Sequence, residues 1–127
     1  MRYVSLREVL LIHAAAVSRY GGSDGVREIG LIESAISRPR ASFGDYEAYP
    51  DLFSKAAVLL EGLVKNHGFI DGNKRTAIAT TSVFLQKNGR DFAPGQKELV
   101  IFVVEVAEGV CSTDEIAAWL KKHSKKI

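Results

Sequence analysis

The stretch LFSKAAVLLEGLVKNHGFIDGNKRTAIATTSVFLQKNG, Leu52 to Gly89, contains two apolar runs of helical length with a short polar break between them. Leu52 to about His67 is apolar on most sides, which predicts a central buried helix. Thr76 to Asn88 predicts a second helix, closed by Gly89 where a left-handed residue is favoured. Asp71-Gly72-Asn73 is turn chemistry, so residues 68 to 73 form a tight connection between two core elements.

Lys74 and Arg75 then fall in the first turn of the second helix, where the macrodipole's positive end disfavours cations by roughly 0.3–1 kcal/mol each. A bound anion would turn that cost into an advantage. The first amides of a helix lack intrahelical partners, and Gly72 permits the turned backbone of an anion-binding nest. Phosphate suits these side chains best, because arginine grips it with two parallel bonds and lysine adds a compact charge. Asp71 beside a phosphate is repulsive unless a cation lies between them, and Mg²⁺ is held by one or two carboxylates together with substrate phosphates. A neutral imidazole, here His67, can take a proton from an attacking hydroxyl. Phosphate grip, metal ligand and base so close together predict phosphoryl or nucleotidyl transfer.

Plainer uses fit some of the same residues. His67 also suits the negative end of its helix, and Asp71-Gly72-Asn73 also suits a simple turn and cap. Phe69 and Ile70 are read as core anchors. His13, on an apolar helix face, is read as structural, and His123 in the tail KKHSKKI as solvated.

Elsewhere the chain predicts helices. Ser5-Leu6-Arg7-Glu8 is a capping box opening a helix to about Arg19, ended by Gly21-Gly22. Gly21 to Gly30 is a loop, and LIESAIS is a short helix that must stop near Arg38-Pro39. Arg40 to Asp51 is the least helical segment; Phe43, Tyr46 and Tyr49 around Gly44-Asp45 predict a short hairpin or an extended flap. Gln96 to Glu108 is rich in β-branched residues, yet its length and polar spacing favour a helix. Ser112-x-x-Glu115 is a second capping box, opening a last helix to about Lys122. The expectation is one all-α domain over residues 1–127 with at most a small hairpin.

Hydrophobic residues make up 46% and charged residues 25% of the chain, an ordinary globular balance. A net charge of +2, concentrated in the lysine tail, is too small to predict direct nucleic-acid binding. Cys111 is the one cysteine, which rules out an intrachain disulfide and makes a reducing compartment the default. Arg2 followed by VLLIHAAAVS superficially resembles a secretion signal, but Glu8 and His13 interrupt it. No segment is long enough to span a bilayer, so a cytoplasmic protein without membrane contact is expected.

His67-x-Phe69-x-Asp71-Gly72-Asn73-x-Arg75 resembles the signature of Fic-domain proteins. Lys74 in place of the second glycine, followed by Thr76-Ala77, looks like the death-on-curing (Doc) branch. The likeness extends through SRYGGSDG, Ala35 to Pro39, Tyr49 to Phe53 and Phe84 to Gly89. It implies a compact helical bundle of Fic/Doc type. It implies that His67 activates a hydroxyl of a target protein and that Asp71 helps to hold Mg²⁺. Gly72 and the loop amides, with Asn73, Lys74 and Arg75, would hold the phosphates of ATP. A flap carrying Phe43, Gly44, Asp45, Tyr46 and Tyr49 would align a target segment by strand addition. Doc-type members are toxins paired with a Phd-type antitoxin, and they phosphorylate elongation factor Tu on a threonine, which stops translation.

The chain departs from the wider family in three places. AMP-transferring members carry a second arginine three residues after the first, where this chain has Ile78, and glycine where it has Lys74. Both departures favour transfer of the terminal phosphate over the alternative, transfer of AMP to a protein hydroxyl. An intact His67 speaks against a further alternative, a non-catalytic binding module. Gly68 stands where many members have proline, which predicts a looser loop. Many Fic proteins are also silenced by a helix of their own carrying Ser or Thr, three residues, then Glu followed by Gly or Asn. Glu108-Gly109 approaches that pattern, but the required hydroxyl position is Val104, so inhibition is expected in trans.

Overall fold

The computed structural model describes residues 1–127. Helix α1 (Leu6–Tyr20) opens on the expected capping box, with the Glu8 amide donating to Ser5 Oγ and the Ser5 amide to the Glu8 carboxylate. Helix α2 (Ile29–Ser37) begins slightly before LIESAIS and runs into a 3₁₀ turn, Arg38–Arg40, because Pro39 already has the φ that such a turn needs. Strands β1 (Ser42–Phe43) and β2 (Tyr46–Glu47) pair antiparallel around Gly44-Asp45, so the expected flap is a hairpin. Helix α3 (Leu52–Asn66) starts at the N-cap Asp51, whose carboxylate accepts from the Ser54 amide at 2.9 Å. Helix α4 (Asn73–Lys87) follows after six residues, starting three residues earlier than expected. Strand β3 (Arg90–Phe92), helix α5 (Gln96–Glu108), helix α6 (Thr113–Lys122) and strand β4 (Ser124–Lys126) complete the chain.

Ten of the fifteen residues of α3 are buried, which makes it the axis of the molecule, and α2, α4, α5 and α6 pack around it. Its Leu59, Leu60 and Leu63 sit in one apolar cluster with Ile32 of α2, Phe84 of α4, Phe102 and Val106 of α5 and Ile116 of α6. Full burial of each such side chain contributes about 1.5–3 kcal/mol. Helix α4 lies between α3 and α1, and Lys87 pairs with Glu8 at 2.7 Å where α1 begins. No helix is long and apolar enough to cross a membrane.

The all-α frame with a hairpin flap is as expected; the C-terminal segment is not. KKHSKKI contributes β4, which pairs antiparallel with β3, and the Ile127 amide donates to Gly89 O. His123 is not free in solvent. Its Nδ1–H donates to Trp119 O, and its ring stacks on Trp119, which in turn stacks on Phe102. The pairing joins residues 32 to 36 positions apart through three registered positions, Arg90 with Lys126, Asp91 with Lys125 and Phe92 with Ser124. Such a short, lysine-rich strand carries no alternation that would announce it.

Candidate active site

His67 is the C-cap of α3 in the left-handed conformation, φ 52° and ψ 52°, the one non-glycine residue with positive φ. A side chain held there costs about 1–3 kcal/mol, so the surroundings must impose it. They do so through the main chain. Arg27 donates from Nε to His67 O at 2.7 Å and from Nη2 to Asn66 O at 3.1 Å. The last carbonyls of α3 are thus met by Arg27, and the exposed His67 imidazole forms no hydrogen bond. The plain use of His67 as a helix-end counter-charge is taken over by a neighbouring residue.

Beyond His67 the backbone is extended, bridging Phe69 to Val26 of the glycine-rich loop. Alternate side chains therefore point opposite ways. Phe69 is buried, as expected. Ile70 is 53% exposed, which corrects its assignment as a core anchor. Gly68 is buried and accepts two amides, from Arg27 at 2.8 Å and Glu28 at 3.0 Å, so it does not loosen the loop. A Cβ at Gly68 would stand 2.5 Å from Ile32 Cγ1 and 3.3 Å from the Glu28 carbonyl oxygen. Glycine is needed here for close approach.

The rest of the loop is braced from both sides. His13 of α1 stacks on Phe69 with ring centroids 3.8 Å apart, and its Nε2–H donates to Asp71 O at 2.8 Å. The buried Asn73 side chain closes a pair of hydrogen bonds with Phe69, its Oδ1 accepting the Phe69 amide and its Nδ2 donating to the Phe69 carbonyl, both at 3.0 Å. Its side chain is thus committed within the loop, and only its backbone amide is left for a ligand. Asp71 Oδ1 accepts from the Gly72 amide at 2.9 Å and Oδ2 from Ser23 at 3.2 Å. Gly72 adopts φ 76°, where glycine carries no steric penalty, and turns the chain into α4.

That turn leaves the amides of Asn73, Lys74 and Arg75 without partners in the protein. Neither Lys74 nor Arg75 forms an ion pair. The Arg75 guanidinium lies over the Tyr20 ring at 4.2 Å. These groups, with Gly72, Asp71 and His67, line one cleft of about 430 Å³ whose far wall is Ala16, Val17 and Tyr20 of α1 and Gly21-Gly22. The sequence-predicted site residues of the loop come together there. An apolar groove adjoins it, and Ile78 lines that groove with Ile12 and Leu99.

The flap stands apart from the cleft lining. Phe43 is 75% and Tyr46 69% exposed, with Gly44 and Asp45 at the exposed tip, while Tyr49 is half-buried beside the Arg38 guanidinium. A residue missed in the sequence fixes its base. Lys55 of α3 is 1% exposed, and its ammonium donates to Pro39 O at 3.0 Å and to the Glu47 carboxylate of β2 at 3.3 Å. Spacing offered no signal for His13 or Arg27, which act 58 and 40 residues away, or for Lys55, which reaches out of α3 to the hairpin and the turn before it.

No group of three or more acidic, histidine or cysteine side chains is placed to hold a metal unaided. Each Asp71 oxygen accepts one backbone amide and keeps a lone pair. That donor set fits Mg²⁺ only where phosphate oxygens supply further ligands.

The chain belongs to the Fic/DOC family, whose sequence profile matches residues 3–85, and its helical frame fits that family's fold. Over 122 residues the chain is 41% identical to Toxin Doc of Mycolicibacterium smegmatis, covering 93% of this chain and 90% of that protein. It is 36% identical over 122 residues to Protein kinase doc of Escherichia phage P1, covering 96% of this chain and 95% of that protein.

Proposed function

We propose that this protein is a Doc-type toxin that transfers the terminal phosphate of ATP to a serine or threonine hydroxyl of a translation factor, elongation factor Tu. What carries the proposal is the anion nest of three free amides, with Lys74 and Arg75, in one cleft with an unbonded imidazole at His67. The names of the two relatives, a toxin and a protein kinase, point the same way.

In this proposal the nest amides of Asn73, Lys74 and Arg75 hold the ATP phosphates, and the two side chains add positive charge where it develops. Asp71 holds Mg²⁺, which when bound neutralises charge on the transferring phosphoryl group. The acceptor hydroxyl oxygen bonds to the terminal phosphorus, the bond to the bridging oxygen breaks, ADP leaves, and His67 takes the hydroxyl proton. The β1–β2 hairpin offers an exposed strand edge on which an extended target segment adds. Ile78 faces the apolar groove, so the position of a second arginine supplies no phosphate ligand, which favours phosphate over AMP transfer. Restraint comes in trans from a Phd-type antitoxin segment that folds on binding.

Parallel reactions with γ- and α-labelled ATP, Mg²⁺ and purified elongation factor Tu test the proposal. Label should enter from the γ position alone; label from the α position would replace kinase with AMP transfer. His67→Ala should lower transfer by about 10²–10⁴-fold, the range for loss of a general base.

A further inference from the structure

We infer that Arg27 is the positioning residue for His67. This rests on His67 acting as the base. The imidazole has no hydrogen-bond partner, so its place is fixed by the backbone that carries it. That backbone lies in the left-handed region, which a residue with a Cβ leaves unless it is held. Arg27 makes most of the bonds that hold it, with the Glu28 amide sharing Gly68 O. Three consecutive carbonyls, those of Asn66, His67 and Gly68, accept from Nη2, Nε and the backbone amide of Arg27.

A lysine could not do this, because the task requires a rigid planar fork across two neighbouring carbonyls. The guanidinium also sits at the negative end of α3, where a cation is favoured. Arg27 is not among the residues lining the cleft, so it acts through His67 and does not touch the phosphates. The loop beyond Gly68 has its own braces in Asn73 and His13. Loss of the Arg27 side chain therefore frees the turn that carries the imidazole and leaves the nest intact. Arg27 is exposed, so its removal strands no buried charge.

The test compares Arg27→Met, Arg27→Lys, His67→Ala and the double variant Arg27→Met/His67→Ala. Rates are read with γ-labelled ATP and elongation factor Tu, and ring conformation by NMR of the imidazoles, of which the chain has three. Arg27→Met should lower kcat by about ten- to a hundredfold, the effect of roughly 1 Å of misplacement, with the KM for ATP unchanged. Arg27→Lys should recover only a small part. The His67 ring signals should shift and broaden in both variants while those of His123 stay put. The double variant should be no slower than His67→Ala, since residues acting through one another are not additive.

Unchanged His67 signals with parental kcat in Arg27→Met would overturn the inference. So would a raised KM for ATP, or a double variant slower than His67→Ala. A fully active His67→Ala would instead defeat the base assignment, and the ring signals would still decide whether Arg27 sets the imidazole.

Discussion

The loop from His67 to Arg75 and the flap from Ser42 to Glu47 are held in opposite ways. The loop is braced from α1 by His13, from within by Asn73 and from the glycine-rich segment by Ser23 and Arg27. The flap has two paired positions, a bond from the Ala48 amide to Ala41 O and one ion pair to Lys55. A surface that must present donors to a small anion gains from being over-determined, because donors already in place need no reorganisation. A surface that must accept another chain gains from unmade backbone bonds along an edge.

Asn73→Ala is the sharpest way to break the loop. It leaves the buried amide and carbonyl of Phe69 unpaired, at about 1–3 kcal/mol per stranded group, so a loss of roughly 2–4 kcal/mol is expected in urea denaturation. A loss below about 1 kcal/mol would show that the loop holds its shape without that brace.

Glu47→Ala applies the same challenge to the flap. The Lys55 ammonium would keep only Pro39 O and the face of Tyr3. Breaking a fully buried pair costs about 3–5 kcal/mol, but Glu47 is half-exposed, so about 1–2 kcal/mol is expected. Amide exchange should accelerate over residues 42–47 and stay unchanged over 67–73. Faster exchange in both segments would mean that they are one unit.

Lys74→Ala and Arg75→Ala separate two effects within the nest. Each removes a cation from the positive end of α4, and Lys74→Ala should stabilise the ligand-free protein by about 0.3–1 kcal/mol in thermal melts. Arg75→Ala also loses the contact with Tyr20, worth about 0.5–1 kcal/mol at an exposed site, and should come out near neutral. A clear loss from Lys74→Ala would mean that the lysine has a structural partner.

Acid should have the smallest effect. The bond from Lys87 and the Ser5 amide hold the Glu8 carboxyl below its ordinary value of 4.5. A depressed carboxyl contributes stability that is present above the unfolded value and lost as pH falls through the folded one. Melting temperature should therefore fall on acidification below about 4.5, and Glu8→Gln should flatten that part of the curve. The loop and flap, which do not use this clamp, should keep their relative order of amide exchange.

The helices were legible because burial leaves a period and capping leaves paired polar residues. Leu52 to Asn66 and both capping boxes show this, with ends agreeing to within about a residue. The loop was legible because its chemistry is local: the turn, the nest and the two cations occupy neighbouring positions. What was not legible lies in contacts between separate elements. Arg27 meeting the end of α3, His13 meeting Asp71 and Lys55 meeting Glu47 each pair a common residue type with backbone or with a surface acid. Lys126 pairing with Arg90 is of the same kind. Ile70 was misjudged because an apolar residue next to a buried one reads as core until the backbone is known to be extended.

Gly68 constrains the order in which this sequence could have changed. Its α-carbon lies so close to α2 that the branch of Ile32 fills the space a larger residue would need. The proline that many Fic-domain proteins carry at this point of the motif brings a Cβ into that space. The order is therefore directional: position 32 can become smaller while 68 is glycine, but a larger residue at 68 requires that Ile32 first give way. Chimeras that exchange the loop between relatives inherit the same coupling, and they must carry the matching residue of α2 along with the motif.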